Sequence, residues 1–210
     1  MLFEPMNFNF RRNKVMNQTK LRLITAGMEF IQKNGVENLS LREIAKQCGV
    51  THAGPYKHFK NKDDFLKQVA ERISLVFGSY LIRNIDISNH SDIKKVLLQM
   101  GENFIFFARD YPNFFDVLFV NNRWSDNVYI SEGKMDSTGA IPGFEHFKNV
   151  IIFLKEKYDI KASETDIILH LWSYIFGLAL IMSHKDLDGL SEKKLKENIK
   201  TFISIYVKES

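Results

Sequence analysis

The chain has 210 residues, 45% of them hydrophobic and 26% charged, with a formal net charge of +4. That balance is ordinary for a soluble globular protein of one or two domains. The single cysteine, Cys48, excludes an intramolecular disulfide framework and any multi-cysteine zinc site within one chain.

Residues 1–16 read as a disordered extension. Residues 1–10 show no secretory apolar core, because Glu4, Pro5 and interspersed Asn and Met positions break them. Arg11, Arg12 and Lys14 leave two readings open, an arm reaching the DNA minor groove or an unordered tail ahead of a start at Met16. A first helix is predicted over 17–34, with Leu23, Ala26, Gly27, Phe30 and Ile31 on one face and Gly35 as its stop.

Residues 40–59 carry the most information. Ser40 and Glu43 have capping-box spacing, Leu41, Ile44 and Ala45 form a small apolar face, and Gly49 falls where a helix must end in a sharp turn. Val50 plugs the turn, Thr51 can cap a second helix, and Phe59 belongs to the core. Two helices joined by a Gly-containing turn are the unit that places its second helix in the DNA major groove. With Thr51 as cap, Pro55 removes the first intrahelical bond, and Gly54 costs about another 1 kcal/mol in propensity. A recognition helix loosely held until DNA orders it is the expectation.

Asn61 caps the next helix, with Asp63 and Asp64 at its positive end and Phe65, Leu66, Val69, Ile73, Phe77 and Tyr80 as its stripe. A break is expected over 84–90. A further helix starts near Ser91, with Ile93, Leu97, Met100, Phe104 and Ala108, and Pro112 opens a short aromatic one through Phe114, Phe115 and Phe119. Residues 121–142 read as a mobile loop, and Phe144, Phe147, Ile151 and Leu154 return to helical spacing. Ser163 and Asp166 repeat a capping pattern before 167–184, which is apolar almost all round, and a last helix follows over about 191–208. No sustained strand alternation is visible, so the fold class is all-α. The longest apolar run, 167–182, is read as too short and too mixed to span a bilayer, and a cytoplasmic protein is expected.

Gly35, the run from Leu39 to Ala45, Gly49-Val50-Thr51, Tyr56-Lys57-His58-Phe59 and Lys62 strongly resemble the N-terminal domain of TetR-type transcriptional regulators. The resemblance covers roughly 17–77; Pro55 stands where the family usually has Leu or Ile, as it does in a subset. It implies a helix-turn-helix DNA-binding domain over 17–77 and an effector-binding and dimerisation domain over 78–210. By that resemblance Tyr56, His58 and Lys62 contact DNA phosphates, and Ser40 adds a contact. Lys57 is a further phosphate candidate, and Thr51, His52 and Ala53 stand where base edges are read. Charge agrees: residues 1–77 hold 13 Lys/Arg against 7 Asp/Glu, while 78–210 hold 16 against 18.

The resemblance also implies that the last two helices pair with a second copy as a four-helix bundle, through Ile168, Leu171, Ile175, Leu195, Ile199, Phe202 and Tyr206. Trp172 to Leu178 resembles a Trp-His-Gly signature of one TetR subgroup, with Phe176 in place of the histidine. An effector pocket is assigned to Phe104, Phe107, Phe114, Phe115, Trp124, Trp172 and Phe176. The six histidines form no HExxH pair and no close ligand cluster, and neither a Gly-rich phosphate loop nor a serine elbow is present. Neither an enzyme nor a metal or other cofactor is called for. The expectation is a homodimeric repressor on a palindromic operator, released by a small apolar or aromatic effector. The alternative is an architectural or activator DNA-binding protein without a small-molecule ligand.

Overall fold

The computed structural model describes residues 18–86, 92–121, 128–131, 134–137, 142–183 and 191–206. The helices are α1 (Gln18–Asn34), α2 (Leu41–Gln47), α3 (Lys62–Leu81), α4 (Ile93–Asp110), α5 (Pro112–Phe115), α6 (Pro142–Lys157), α7 (Glu164–Ser183) and α8 (Glu192–Ser204). A single 3-10 turn, Pro55–Lys57, lies between α2 and α3, and a π-helical turn, Asp116–Val120, continues α5. The chain is all-α in class, with one minor addition. Strands β1 (Val128–Ser131) and β2 (Lys134–Ser137) pair antiparallel, Val128 opposite Ser137, within the stretch read as a mobile loop. Strands of four residues are too short to show the alternation that betrays a strand.

At one end, α1, α2 and the first half of α3 enclose a small core. Leu23, Ile31, Ile44 and Phe65 are fully buried there, and Phe59 meets Phe65 edge to face at 4.9 Å. Burying each such side chain contributes about 1.5–3 kcal/mol. Arg22 Nη2 donates to the Cys48 carbonyl at 2.7 Å and so ties α1 to the end of α2. Burial pushes the Cys48 thiol up, which suits a packing role.

α3 runs from this head into a larger helical body, where α4 is the central element, packed by α3, α5, α6, α7 and α8. Phe77 on α3 meets Phe104, Phe107 and Phe119 edge to face at 5.5, 5.1 and 5.1 Å. Asn103, fully buried on α4, closes the far end of α3. Its Nδ2 donates to the carbonyls of Leu81 (2.9 Å) and Arg83 (2.8 Å), acceptors that a helix end otherwise leaves orphaned. α8 lies on α4 and is tied to it by Arg109–Glu192 at 2.9 Å and Lys196–Glu102 at 3.4 Å.

Caps divide by outcome. Asn61 Oδ1 accepts from the Asp64 N–H at 2.8 Å, and Ser163 Oγ from the Asp166 N–H at 3.1 Å, as their spacing implied. Ser40 has N-cap backbone geometry, but its side chain makes no capping bond, so the predicted capping box is not formed. The Ser40 carbonyl accepts from Glu43 and Ile44 instead.

Candidate nucleic-acid interface

The interface begins where α2 ends. The Val50 N–H donates to the Ala45 carbonyl at 3.0 Å and the Gly49 N–H to the Lys46 carbonyl at 3.1 Å. This is the paired bonding of a Schellman ending, and it requires the left-handed residue that Gly49 supplies at φ +65°. Val50 is half-buried against the head core.

The second helix of the motif is then reduced to one turn. The Gly54 N–H reaches the Thr51 carbonyl at 2.8 Å, and the His58 and Phe59 N–H groups reach the Pro55 carbonyl at 2.9 and 3.0 Å. Residues 52–54 form turns, and only Pro55–Lys57 is helical, as a 3-10 turn. The two-helix expectation is corrected accordingly. Pro55 has no N–H to extend the ladder backwards, and Gly54 holds a position where a Cβ would sit 2.9 Å from the Thr51 carbonyl oxygen. Pro55 itself is buried and anchors the turn.

This turn displays its polar side chains. Ser40, Thr51, His52, Ala53, Lys57 and Lys62 are exposed, Tyr56 is 53% exposed, and His58 is half-buried with its ring edge to Phe59. Below them α3 begins with a reciprocal cap. Asn61 receives the Asp64 N–H, and the Asp64 carboxylate receives the Lys60 N–H at 2.8 Å. That backbone bond, with a second from Gln68, holds the Asp64 carboxyl below its ordinary range. Lys20 Nζ stands 5.6 Å from the Phe59 ring centroid, adding a cation beside the turn.

The body places the other candidates less uniformly. A cavity of about 40 Å³ lies between α4, α7 and α8, and Phe104 and Trp172 line it together with Leu97, Met100, Phe147 and Phe202. Phe107, Phe114 and Phe115 are buried in the surrounding core, and Phe176 is half-buried and stacked on Phe115 at 5.8 Å. Trp124 lies outside the described residues, as does the extension 1–16. Among the described residues no group of three or more His, Cys, Asp or Glu is placed to hold a metal.

The expected dimer residues need a correction. Ile168, Leu171, Leu195 and Ile199 are at most 4% exposed within a single chain, because α7 and α8 both dock on α4. They are core of the protomer, and Ile175 lines the cavity. On α7 and at the end of α8 the exposed large apolar side chains are Leu180 (37% exposed), Ile181 (47%) and Ile205 (66%), while Phe202 and Tyr206 are half-buried. Residues 164–182 are long and apolar enough to cross a bilayer by length and composition alone, a test that core helices also pass, and 22% of that window is buried.

A helix-turn-helix head set on a helical body defines a class of protein, and the comparisons agree with it. Residues 23–69 match the family of bacterial regulatory proteins of the tetR type. An uncharacterised helix-turn-helix regulator of Bacillus subtilis, YerO, is 28% identical over 119 residues; these are 56% of this chain and 40% of that protein. The chain therefore spans less than half the length of that curated relative. A solved Rhodococcus sp. RHA1 protein of unknown function shares the fold at TM-score 0.69 and 20% identity, over 91% of this chain and 96% of its own. AibR, solved with isovaleryl coenzyme A and operator DNA, does so at TM-score 0.53 and 17% identity, over 89% and 96%. The head of the chain, residues 23–69, belongs to the tetR family of bacterial regulatory DNA-binding domains.

Proposed function

We propose that this protein is a homodimeric DNA-binding transcriptional regulator, a repressor whose grip on a palindromic operator is released by a small apolar or aromatic effector. One observation carries the reading. Thr51, His52, Ala53, Tyr56 and Lys57 are all exposed along the turn that follows Gly49, and Lys62 at the start of α3, on the basic third of the chain. Exposed hydroxyl, imidazole and ammonium groups beside a helix N-terminus suit phosphate oxygens and base edges. AibR, solved on operator DNA, lends the same fold as precedent.

One head offers few base contacts, so specific binding needs two heads on a two-fold axis. The open side of α7 can hold that axis. Asp166, His170 and Ser173 are exposed along it, a Cβ at Gly177 would meet nothing within 4 Å, and Leu180 and Ile181 close the row. Small residues let a second helix approach closely, and the polar ones make a second copy a better occupant than lipid. Effector binding between α4 and α7 would favour a state in which α3 swings and the heads leave half-site spacing.

Selection of DNA fragments by the purified protein tests the proposal, alongside the DNA flanking its own coding region. A palindromic consensus protected by a dimer is the expected result. Binding without sequence preference, by a monomer, would favour an architectural role.

A further inference from the structure

Ion pairs tie the seam between α4 and α8 at two points, Arg109–Glu192 at 2.9 Å and Glu102–Lys196 at 3.4 Å. The pairs descend α4 as they ascend α8, so the two helices run antiparallel. One turn beyond Lys196 the pattern reverses. Lys200 on α8 borders a groove of about 410 Å³ that Lys95 and Leu98 line from α4, so both sides of the seam carry an ammonium group there. Both lysines are exposed, and neither ammonium has a partner among the described residues. Like charges on one groove repel, and the seam is left open at this end.

The rest of the lining does not cancel that charge. Asp92 is its one carboxylate, and Asp92 Oδ1 accepts the Lys95 N–H at 3.1 Å to cap α4. Lys94 already makes an interaction of its own and is left out of the balance. Ser204 Oγ donates to the Thr201 carbonyl at 2.6 Å, so its proton is spent. Two unpaired ammonium groups therefore stand against one capping carboxylate. The floor is apolar, with Leu98 half-buried and Ile203 only 5% exposed. Ile203 also lines the inner cavity and is the wall between the two spaces. The volume lies within the roughly 300–1,000 Å³ of small-molecule pockets. Lys95 is about 22 Å along α4 from Asp110, whose carbonyl accepts from Gln32 of the head, so this groove is remote from the DNA-facing turn.

We infer that the open end of the α4–α8 seam is a ligand site, separate from the inner cavity, for a small anion with an apolar tail. A carboxylate or phosphate head bridges Lys95 and Lys200, and the tail lies on Leu98 and Ile203. The bound head makes a third tie where the seam now repels. The site does not depend on the operator or effector readings above, because its charge and floor belong to α4 and α8 alone.

Calorimetric titration of the full chain without DNA tests it with three probes of equal tail length, each below its micelle concentration: octanoate, octyl phosphate and octan-1-ol. At least one anion should bind about tenfold more tightly than the alcohol, as two exposed charge pairs provide, and the leading anion identifies the head as carboxylate or phosphate. Lys200→Gln should weaken that anion about threefold and leave the alcohol unchanged, and adding Lys95→Gln should bring anion and alcohol level. Lys193→Gln, an exposed α8 lysine outside the groove, controls for net charge and should change nothing. Leu98→Asn should weaken all the probes that bind by about fourfold, the equivalent of one buried methylene. Alcohol binding as tightly as both anions, or no binding by any probe, overturns the inference. An anion preference that survives the double lysine variant, or that Lys193→Gln reduces as much as Lys200→Gln does, overturns the placement of the head.

Discussion

The head and the body hold themselves together by different means. Around residues 40–64 the order comes from backbone endings and caps: the Gly49 ending, the Pro55 turn and the reciprocal Asn61–Asp64 cap. Around Phe104 it comes from ring contact, with Phe77, Phe115, Phe119 and Trp172 all within 5.9 Å, centroid to centroid. The head can therefore spend its outward side chains on DNA, because none of Thr51, His52 or Lys62 is needed for packing. The body has no such separation. Phe104 and Trp172 are at once packing residues and cavity walls.

Phe104→Ala should show the coupling most strongly. Removing a 5%-exposed ring with four aromatic neighbours should cost about 3–5 kcal/mol in denaturant unfolding and enlarge the cavity. Tyr56→Ala, at a 53%-exposed ring, should leave unfolding within about 0.5 kcal/mol of the parent while weakening DNA binding. Equal stability losses for the two would erase the distinction.

The proposed two-fold axis would join the regions, and breaking it should produce the next largest effect. Leu180→Glu with Ile181→Glu adds charge to the open side of α7 without touching Ile199 or Leu195, which the protomer needs. Folded monomers in sedimentation, with operator affinity reduced about a hundredfold or more, are expected. A dimer that survives would move the axis elsewhere.

These variants also mark what could be read from sequence. Helical periodicity located Leu23, Ile31, Phe65, Ile73 and Phe77, since each sits on a helix with one apolar face. The Asn61 and Ser163 caps were readable because they depend on local chemistry alone. α7 was not, because a helix apolar all round has no single face to point inward, and only its packing against α4, α6 and α8 determines that Ile168 and Leu171 are covered while Ile181 is open. The cavity walls were half legible for a related reason. Aromatic rings drew attention to Phe104 and Trp172, whereas Leu97, Met100 and Ile203 look like any core residue until three helices converge. The shortened recognition helix was foreshadowed by Gly54-Pro55, though not its retreat to one 3-10 turn.

Within the head, base reading and phosphate attraction should separate. His52→Ala is expected to cost about 1–3 kcal/mol on the selected operator and little on random DNA. Lys62→Ala should weaken both equally and reduce the salt slope by about one charge. Equal losses on both DNAs for His52→Ala would place the imidazole on the backbone instead.

The smallest effect expected lies beneath that surface, at Asp64. Its carboxylate accepts the Lys60 N–H and stands in the first turn of α3, so ionisation favours the folded start of that helix. The backbone bond from Lys60 is the main reason that its pKa lies below the usual value, with Gln68 second. A depressed folded pKa means the contribution is complete above the unfolded value and is lost as pH falls through the folded one. Asp64→Asn should therefore cost about 0.5 kcal/mol at neutral pH, seen as faster amide exchange at Lys60, and nothing once both forms are protonated. Because Lys60 and Lys62 flank the cap, loosening it should also raise the entropy lost on docking to phosphate, so DNA affinity should fall in step with that exchange. An Asp64→Asn protein whose Lys60 amide exchanges at the parental rate at neutral pH would show that Asn61 alone holds this end of α3.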